Sequence, residues 1–252
     1  MTIKTDLSGL TALVTGASSQ GFGAHFARVL ANSGAEVIVA ARRKAPLDAL
    51  VAELVADGAR ARAVTMDVSD AASVEQAMAE AGPLDIVVNN AGVEASSSVL
   101  DFSEKEYDYV LDINLKGAWQ VATEAARRMR DAKKAGSIIN IASITGYGVM
   151  KGAAPYGISK AGVLHMTRHL GCELARFGIR VNSISPGYFL TDLNREFLES
   201  GPGEDLRMRI AMRRFGEFPD LDGALLLLAS PASAFMTGSD IVVDGGHLLY
   251  PL

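Results

Sequence analysis

Tyr156 and Lys160 stand one helical turn apart in Tyr-Gly-Ile-Ser-Lys, inside a segment whose pattern is helical, so their side chains share a face. An ammonium held roughly 4 Å from a phenol, at an effective dielectric of about 20, favours the phenolate by about 4 kcal/mol, or about three pKa units. A tyrosine brought that far down from about 10 can give a proton to a ketone oxygen, or take one from an alcohol, near neutral pH. The same spacing also occurs as an ordinary pair on an exposed helix face. The chemical reading therefore depends on what the rest of the chain places around it.

Short β-branched or apolar runs recur between longer helical patterns: Thr11–Thr15, Glu36–Ala40, Ala61–Thr65, Asp85–Asn89, Ser137–Ile141, Arg180–Ile184 and Asp240–Val243. Strands that alternate with helices predict an α/β fold, a doubly wound parallel sheet of about seven strands with helices on both faces. Pro46–Asp57 carries a proline at a first helical position and Gly58 beyond its end, which predicts an amphipathic helix. Ser103 and Glu106 predict a capping box opening one long helix to about Met129, and Pro155 opens another to about Phe177. We expect residues 1–252 to form one domain, with a substrate loop and helix insertion at about 188–216.

The first strand runs into Thr15-Gly16-Ala17-Ser18-Ser19-Gln20-Gly21-Phe22-Gly23 and then a helical pattern. Glycines in a strand-to-helix turn let backbone amides approach a pyrophosphate at a helix N-terminus, where the dipole favours an anion; the alternative is a purely structural turn. About twenty residues further on, where an acidic side chain would meet a ribose 2′-hydroxyl, stand Arg42 and Arg43. The planar fork of arginine suits a 2′-phosphate, so NADP(H) is expected in preference to NAD(H), unless the two are simply solvated. Asp67, followed by Val68, either accepts from an adenine amino group or caps the next turn.

The net charge of −5 and the scattered basic residues speak against a nucleic-acid partner. Cys172 is the single cysteine, so no intrachain disulfide can form, and a reducing cytoplasm is the expected setting. The start Met1-Thr-Ile-Lys-Thr-Asp lacks the apolar core of a signal peptide, and no apolar run reaches membrane-spanning length, which predicts a soluble protein without a membrane partner.

With these motifs in order, the chain resembles the short-chain dehydrogenase/reductase family from Gly9 to Gly246. The glycine turn is similar to the family's TGxxx(A/G)xG, Asn89-Asn90-Ala91-Gly92 to its NNAG, Tyr156 and Lys160 to its YxxxK, and Pro186-Gly187 to its PG after the sixth strand. Ser143 and Asn114 resemble the remaining members of its catalytic tetrad. The loop departs from the pattern: Ala17 to Gln20 separate Gly16 from Gly21 where the family usually has three residues, and Gln20 is expected to bulge outward.

The resemblance implies a 3-oxoacyl-reductase-like, NADP-preferring oxidoreductase. Tyr156 would protonate a carbonyl oxygen, Ser143 would hydrogen-bond it, Lys160 would tune Tyr156 and hold the nicotinamide ribose, and Asn114 would bind a water linking Lys160 to solvent. It further implies cofactor contacts from Gly16, Ser18, Ser19, Gln20, Gly21, Phe22, Asn90, Ala91, Gly92, Pro186, Gly187 and Thr191, although Thr191 could equally cap a helix. It implies a homotetramer, or a dimer, through the helices near Ala118–Met129 and Gly162–Phe177, with the tail His247–Leu252 covered at a subunit contact. The substrate is expected to be a small carbonyl or alcohol, hydrophobic if Val93, Ile144, Tyr147, Val149, Met150, Tyr188, Phe189, Leu190 and Phe197 face it. Glu94 is read as a solvated carboxylate that overlooks the substrate entrance at most. His165 and His169 share a helix face without an evident third ligand, so no metal is expected. Competing functions are a catalytically idle NADP-binding sensor or scaffold and an enoyl-type reductase. The intact tetrad speaks against the first. The family's enoyl reductases space tyrosine and lysine more widely, which speaks against the second.

Overall fold

A computed structural model of the chain describes residues 5–191, 195–198 and 200–249, with the side chains of residues 195 and 197 excepted. The start of the chain, on which the signal-peptide expectation partly rested, and the tail beyond Leu249 lie outside that description. Seven strands, β1 Thr11–Thr15, β2 Glu36–Ala41, β3 Ala61–Thr65, β4 Ile86–Asn89, β5 Gly136–Ile141, β6 Ile179–Pro186 and β7 Asp240–Val243, form one sheet in the order β3-β2-β1-β4-β5-β6-β7. Every pairing is parallel. Because successive side chains alternate across a sheet, Leu13 faces one core and Ala12 and Val14 the other, and Ile38 and Val39 divide in the same way. Both faces must be covered, which is why the strands are nearly continuous apolar runs.

One face carries α3 Ala71–Ala81, α5 Ala118–Asp131 and α6 Ala154–Leu174, through residues such as Val74, Val121 and Leu164. The other carries α1 Phe22–Asn32, α2 Lys44–Ala56 and α9 Asp222–Ala229, through Phe26, Leu47 and Leu225. The helix expected to open at Pro46 begins two residues earlier, at Lys44, so Pro46 occupies the third helical position, where its missing N–H is still harmless. The capping box forms as expected: the Ser103 amide donates to Glu106 Oε2 at 2.9 Å and the Glu106 amide to Ser103 Oγ at 3.2 Å.

The long helix it opens is broken, however. α4 Glu104–Leu111 gives way to a π-helical turn, Asp112–Gly117, before α5. Gly117 lies against Val68 so closely that a Cβ there would meet Val68 Cγ2 at 2.8 Å, so α5 enters the fold at a position only glycine permits. The short helices α7 Arg195–Leu198 and α8 Gly201–Arg207 follow β6, and Leu198, Ile210 and Phe215 form a small apolar cluster of their own.

Strand order reverses between β1 and β4, and a parallel sheet opens a crevice outside its strand ends at such a point. Here the crevice is held by Thr15. Its Oγ1, fully buried, accepts from the amides of Asn90 and Ala91, both at 3.0 Å, and Asn90 Nδ2 donates back to the Thr15 carbonyl at 2.9 Å. Thr15→Val keeps the shape and removes the acceptor from two amides. We expect the unfolding free energy to fall by about 2 kcal/mol, measured as a shift of the urea midpoint at constant slope; a change below about 0.5 kcal/mol would show that water replaces the hydroxyl.

Candidate active site

Gly16 follows β1 at φ +71°, in the left-handed region open to glycine, and a Cβ on it would stand 2.8 Å from Ala91 Cα. A Cβ on Gly23 would meet the Gly16 carbonyl at 2.6 Å. These close approaches pull the turn tight against the loop after β4. Gly21 caps α1 without a side-chain hydrogen bond, and the helix has no acidic residue in its first turn, so its leading amides remain available to an anion.

Gln20 is exposed and bulges outward as expected, its Oε1 accepting from Arg28 Nη2 at 3.1 Å, and it is not among the residues lining the described cavities. Ser18 and Ser19 do line the crevice. Arg43 donates to the Ser18 carbonyl at 2.8 Å and so braces the lengthened loop. Arg42 is exposed at the same end, and its charge helps hold the Asp67 carboxyl below its usual range, after the larger effect of the Ser69 hydroxyl. Asp67 Oδ1 accepts from the Ser69 hydroxyl at 2.6 Å and the Ser69 amide at 3.0 Å, so the turn-capping alternative is realised for that oxygen.

Gly16, Ser18, Ser19, Arg42, Arg43, Asp67, Val68, Ala91 and Gly92 line one end of the crevice. The other end is lined by Phe22, Asn90, Glu94, Ser143, Tyr156, Lys160, Pro186 and Gly187, and Gly16, Ser19, Gly92 and Val93 belong to both. A groove with two arginines at one end, bare helix amides in the middle and a phenol with an ammonium at the other fits an extended dinucleotide. Thr191 is half-buried at the edge of the described segment.

Ser143 lies two residues beyond the end of β5 and caps a short turn, where its Oγ accepts from the Thr145 amide at 3.1 Å and the Thr145 hydroxyl at 2.9 Å. Two accepted bonds leave the Ser143 proton as the group it can offer. Tyr156 lies in the first turn of α6 and Lys160 one turn on, with Nζ 5.5 Å from the phenol ring centre and donating to the Ile141 carbonyl at 2.8 Å.

The expected lowering of Tyr156 is not what the chain's own groups produce. Burial pushes its hydroxyl up to about 12, Ser143 acts the other way, and the Glu94 carboxylate raises it further. Burial also brings Lys160 down to about 8. Desolvation opposes both charges and outweighs the phenol–ammonium attraction assumed from spacing alone.

Asn114 sits inside the π-helical turn, 1% exposed. Its Oδ1 accepts from the Val93 amide at 2.8 Å, and its Nδ2 donates to the Val93 carbonyl at 2.8 Å and to Ser159 Oγ at 3.1 Å. Ser159 in turn donates to the Tyr156 carbonyl at 2.7 Å. The side-chain amide thus ties the strand-four loop to the Tyr156 turn.

Sequence reasoning missed Thr15, Ser159 and the buried chain in which Asn89 Nδ2 donates to Asn140 Oδ1 at 3.1 Å and Asn140 Nδ2 to Thr167 Oγ1 at 2.9 Å. The available signal was an asparagine inside each of two apolar strands. Of the apolar set expected around the substrate, Val93 lines the crevice, Ile144 and Phe189 are buried, Val149 is fully exposed, and the Tyr147 hydroxyl donates to Asp240 Oδ2 at 2.8 Å. Leu190 packs with the small apolar cluster, and the Tyr188 hydroxyl faces Met150 Sδ at 3.7 Å. The Phe197 side chain lies outside the described residues. His165 and His169 bring their Nε2 atoms to 3.2 Å on an exposed face, and no group of three candidate metal ligands occurs among the described residues. No helix among the described residues is long and apolar enough to cross a membrane.

A dinucleotide crevice at the switch point of a seven-stranded parallel sheet defines a Rossmann-type oxidoreductase class. Residues 16–247 match a family model described as enoyl-(acyl carrier protein) reductase. The chain is 39% identical to the oxidoreductase UcpA of Salmonella typhimurium over 96% of each protein. A short-chain type dehydrogenase/reductase from Mycobacterium marinum superposes with a TM-score of 0.88 at 39% identity, covering 96% of both chains. A gluconate 5-dehydrogenase from Burkholderia cenocepacia, in complex with NADP and tartrate, does so at 0.92 with 34% identity, covering 97% of both. The chain belongs to the short-chain dehydrogenase/reductase family and is an NAD(P)-dependent oxidoreductase.

The Lys160 ammonium is buried with one protein acceptor. Its folded value of about 8 lies below the unfolded 10.5, so the penalty of holding the charge is complete below about pH 8 and disappears above 10.5. Lys160→Met removes a penalty of about 3 kcal/mol at neutral pH and orphans one carbonyl. We expect the variant to be about 2 kcal/mol more stable than the parent at pH 7 and no more stable above pH 10.5, as read by chemical denaturation at both pH values.

Proposed function

We propose that the protein interconverts a small ketone and a secondary alcohol with NADP(H), with Tyr156 as general acid and base. The observation that carries the reading is the convergence of Ser143, Tyr156 and Lys160 at the end of β5, in a crevice continuous with the phosphate loop. The nicotinamide, when bound, supplies the hydride. Tyr156, protonated at pH 7 with its hydroxyl near 12, gives its proton to the carbonyl oxygen, and Ser143 donates a hydrogen bond to the same oxygen as charge develops. Lys160 holds a positive charge beneath that phenol and, with Asn114 and Ser159 as the clamp on its helix turn, keeps the pair in register. Segment 188–216 serves as the substrate-side insertion of a one-domain enzyme, and the assembly is a homotetramer or a dimer.

The preference for NADP(H) rests on Arg42. Arg43 is engaged with Ser18, which leaves the exposed Arg42 guanidinium to pair with a 2′-phosphate. A charge-assisted hydrogen bond of about 1.5 to 3 kcal/mol corresponds to a preference of about 10- to 150-fold. Ala41→Asp combined with Arg42→Ser should reverse the order of kcat/KM for NADPH and NADH, and a parent enzyme that prefers NADH would refute the assignment.

The description of the matching family model supports a second reading, reduction of an enoyl thioester. A panel of ketones, alcohols and enoyl thioesters read by NADPH absorbance decides between them. On the ketone reading, Tyr156→Phe loses about 100-fold or more in reduction rate with cofactor affinity nearly unchanged; comparable turnover would remove Tyr156 from the chemistry.

A further inference from the structure

The charged side chains among the described residues that line the catalytic end of the crevice are Lys160 and Glu94, and they occupy different positions. Lys160 lies buried on the floor with its ammonium on the Ile141 carbonyl. Glu94 stands at the mouth, on the loop after β4, where its neighbour Val93 is held at both amide and carbonyl by Asn114. Its backbone position is therefore fixed by the clamp that also supports the Tyr156 turn, while its side chain is open to solvent on one side. Burial on the other side raises the Glu94 carboxyl above its usual value. Its charge acts on two phenols, Tyr156 and Tyr188. Arg209 acts on Tyr188 and His247 and is not among the groups acting on Tyr156. Among the described residues Glu94 is thus the carboxylate that lines this end of the crevice, while the positive charge of Lys160 is buried at its floor.

We propose that Glu94 reads the substrate: its carboxylate accepts a hydrogen bond from a hydroxyl or ammonium carried near the reacting carbon and turns away substrates that carry a carboxylate there. A partly desolvated carboxylate gains from a donor that replaces its lost water and is strongly penalised by a second anion. The class selected is a donor-bearing, non-anionic carbonyl compound or its alcohol, such as a hydroxyketone, a neutral polyol or an amino ketone. This departs from the plain hydrophobic pocket expected from the sequence. It rests on the ketone–alcohol reading of Tyr156 and narrows it.

The test is a matched series of ketones of equal length bearing a methyl, hydroxyl, ammonium or carboxylate group two carbons from the carbonyl, assayed with NADPH on the parent and on Glu94→Gln and Glu94→Lys. The ratio of kcat/KM for the ammonium ketone to that for the carboxylate ketone is expected to exceed one in the parent, to fall about 10-fold or more in Glu94→Gln, and to invert in Glu94→Lys. The hydroxyl arm, compared with the methyl arm, separates a hydrogen bond from simple charge attraction. A ratio that does not respond to residue 94, or an equal loss on all four ketones, overturns the inference and leaves the Tyr156 reading standing. A parent enzyme that reduces no member of the series overturns both.

Discussion

The contact between β1 and the loop after β4 is the constraint on which the rest of the site depends. A parallel sheet whose order reverses must open a gap between the two strands that diverge, and an open gap exposes backbone amides that need partners. The Thr15 hydroxyl supplies the acceptor for two of them, and Asn90 returns a bond to the Thr15 carbonyl. Gly16 can then pass within van der Waals range of Ala91, because it has no Cβ and accepts a positive φ. The glycine turn after β1 and the loop after β4 are thus tied together, and the lengthened turn absorbs its extra residue at its outer edge, where Gln20 leans on Arg28.

A second unit is built on the π-helical turn. An extra residue in that turn places Asn114 under the strand-four loop, where its amide satisfies both backbone groups of Val93 and reaches Ser159. Position 94 and the Tyr156 turn are therefore fixed relative to each other through one buried side chain. Lys160 illustrates the opposing demand. A charge held dry near a phenol is useful to proton transfer and unfavourable to folding, and burial brings its value down while it brings that of the phenol up.

Aromatic packing joins the substrate side to the cofactor side. Phe22, at the start of α1, meets Phe189 edge-on at 5.4 Å and Phe218 at 5.4 Å, and a Cβ on Gly216 would strike the Phe189 ring at 2.6 Å. The helix that presents its amides to the crevice therefore packs directly against the first residues after Pro186-Gly187.

The sequence by itself determined the seven strands, their alternation with helices, the glycine turn, the paired arginines and the Tyr156 and Lys160 pair, because each is written in local period, turn chemistry or short spacing, whereas Ser143 was singled out only by the chain's resemblance to the family. Even the outward bulge of Gln20 follows from local reasoning, since the helix start is the tighter end of the loop. What tertiary structure alone decided are the relations between distant segments. The π-helical turn at Asp112–Gly117 ends where Gly117 passes close to Val68, a contact between segments far apart in the chain that local pattern does not report. The division of labour between Arg42 and Arg43 depends on where the Ser18 carbonyl comes to rest. The values of Tyr156 and Lys160 depend on how much water the fold removes, which spacing does not report, and so the attraction inferred from four residues of separation lost to desolvation. Glu94 is exposed, as a solvated carboxylate would be, but a one-dimensional reading cannot tell that it also lines the crevice, where Asn114, twenty residues further along the chain, holds its neighbour in place.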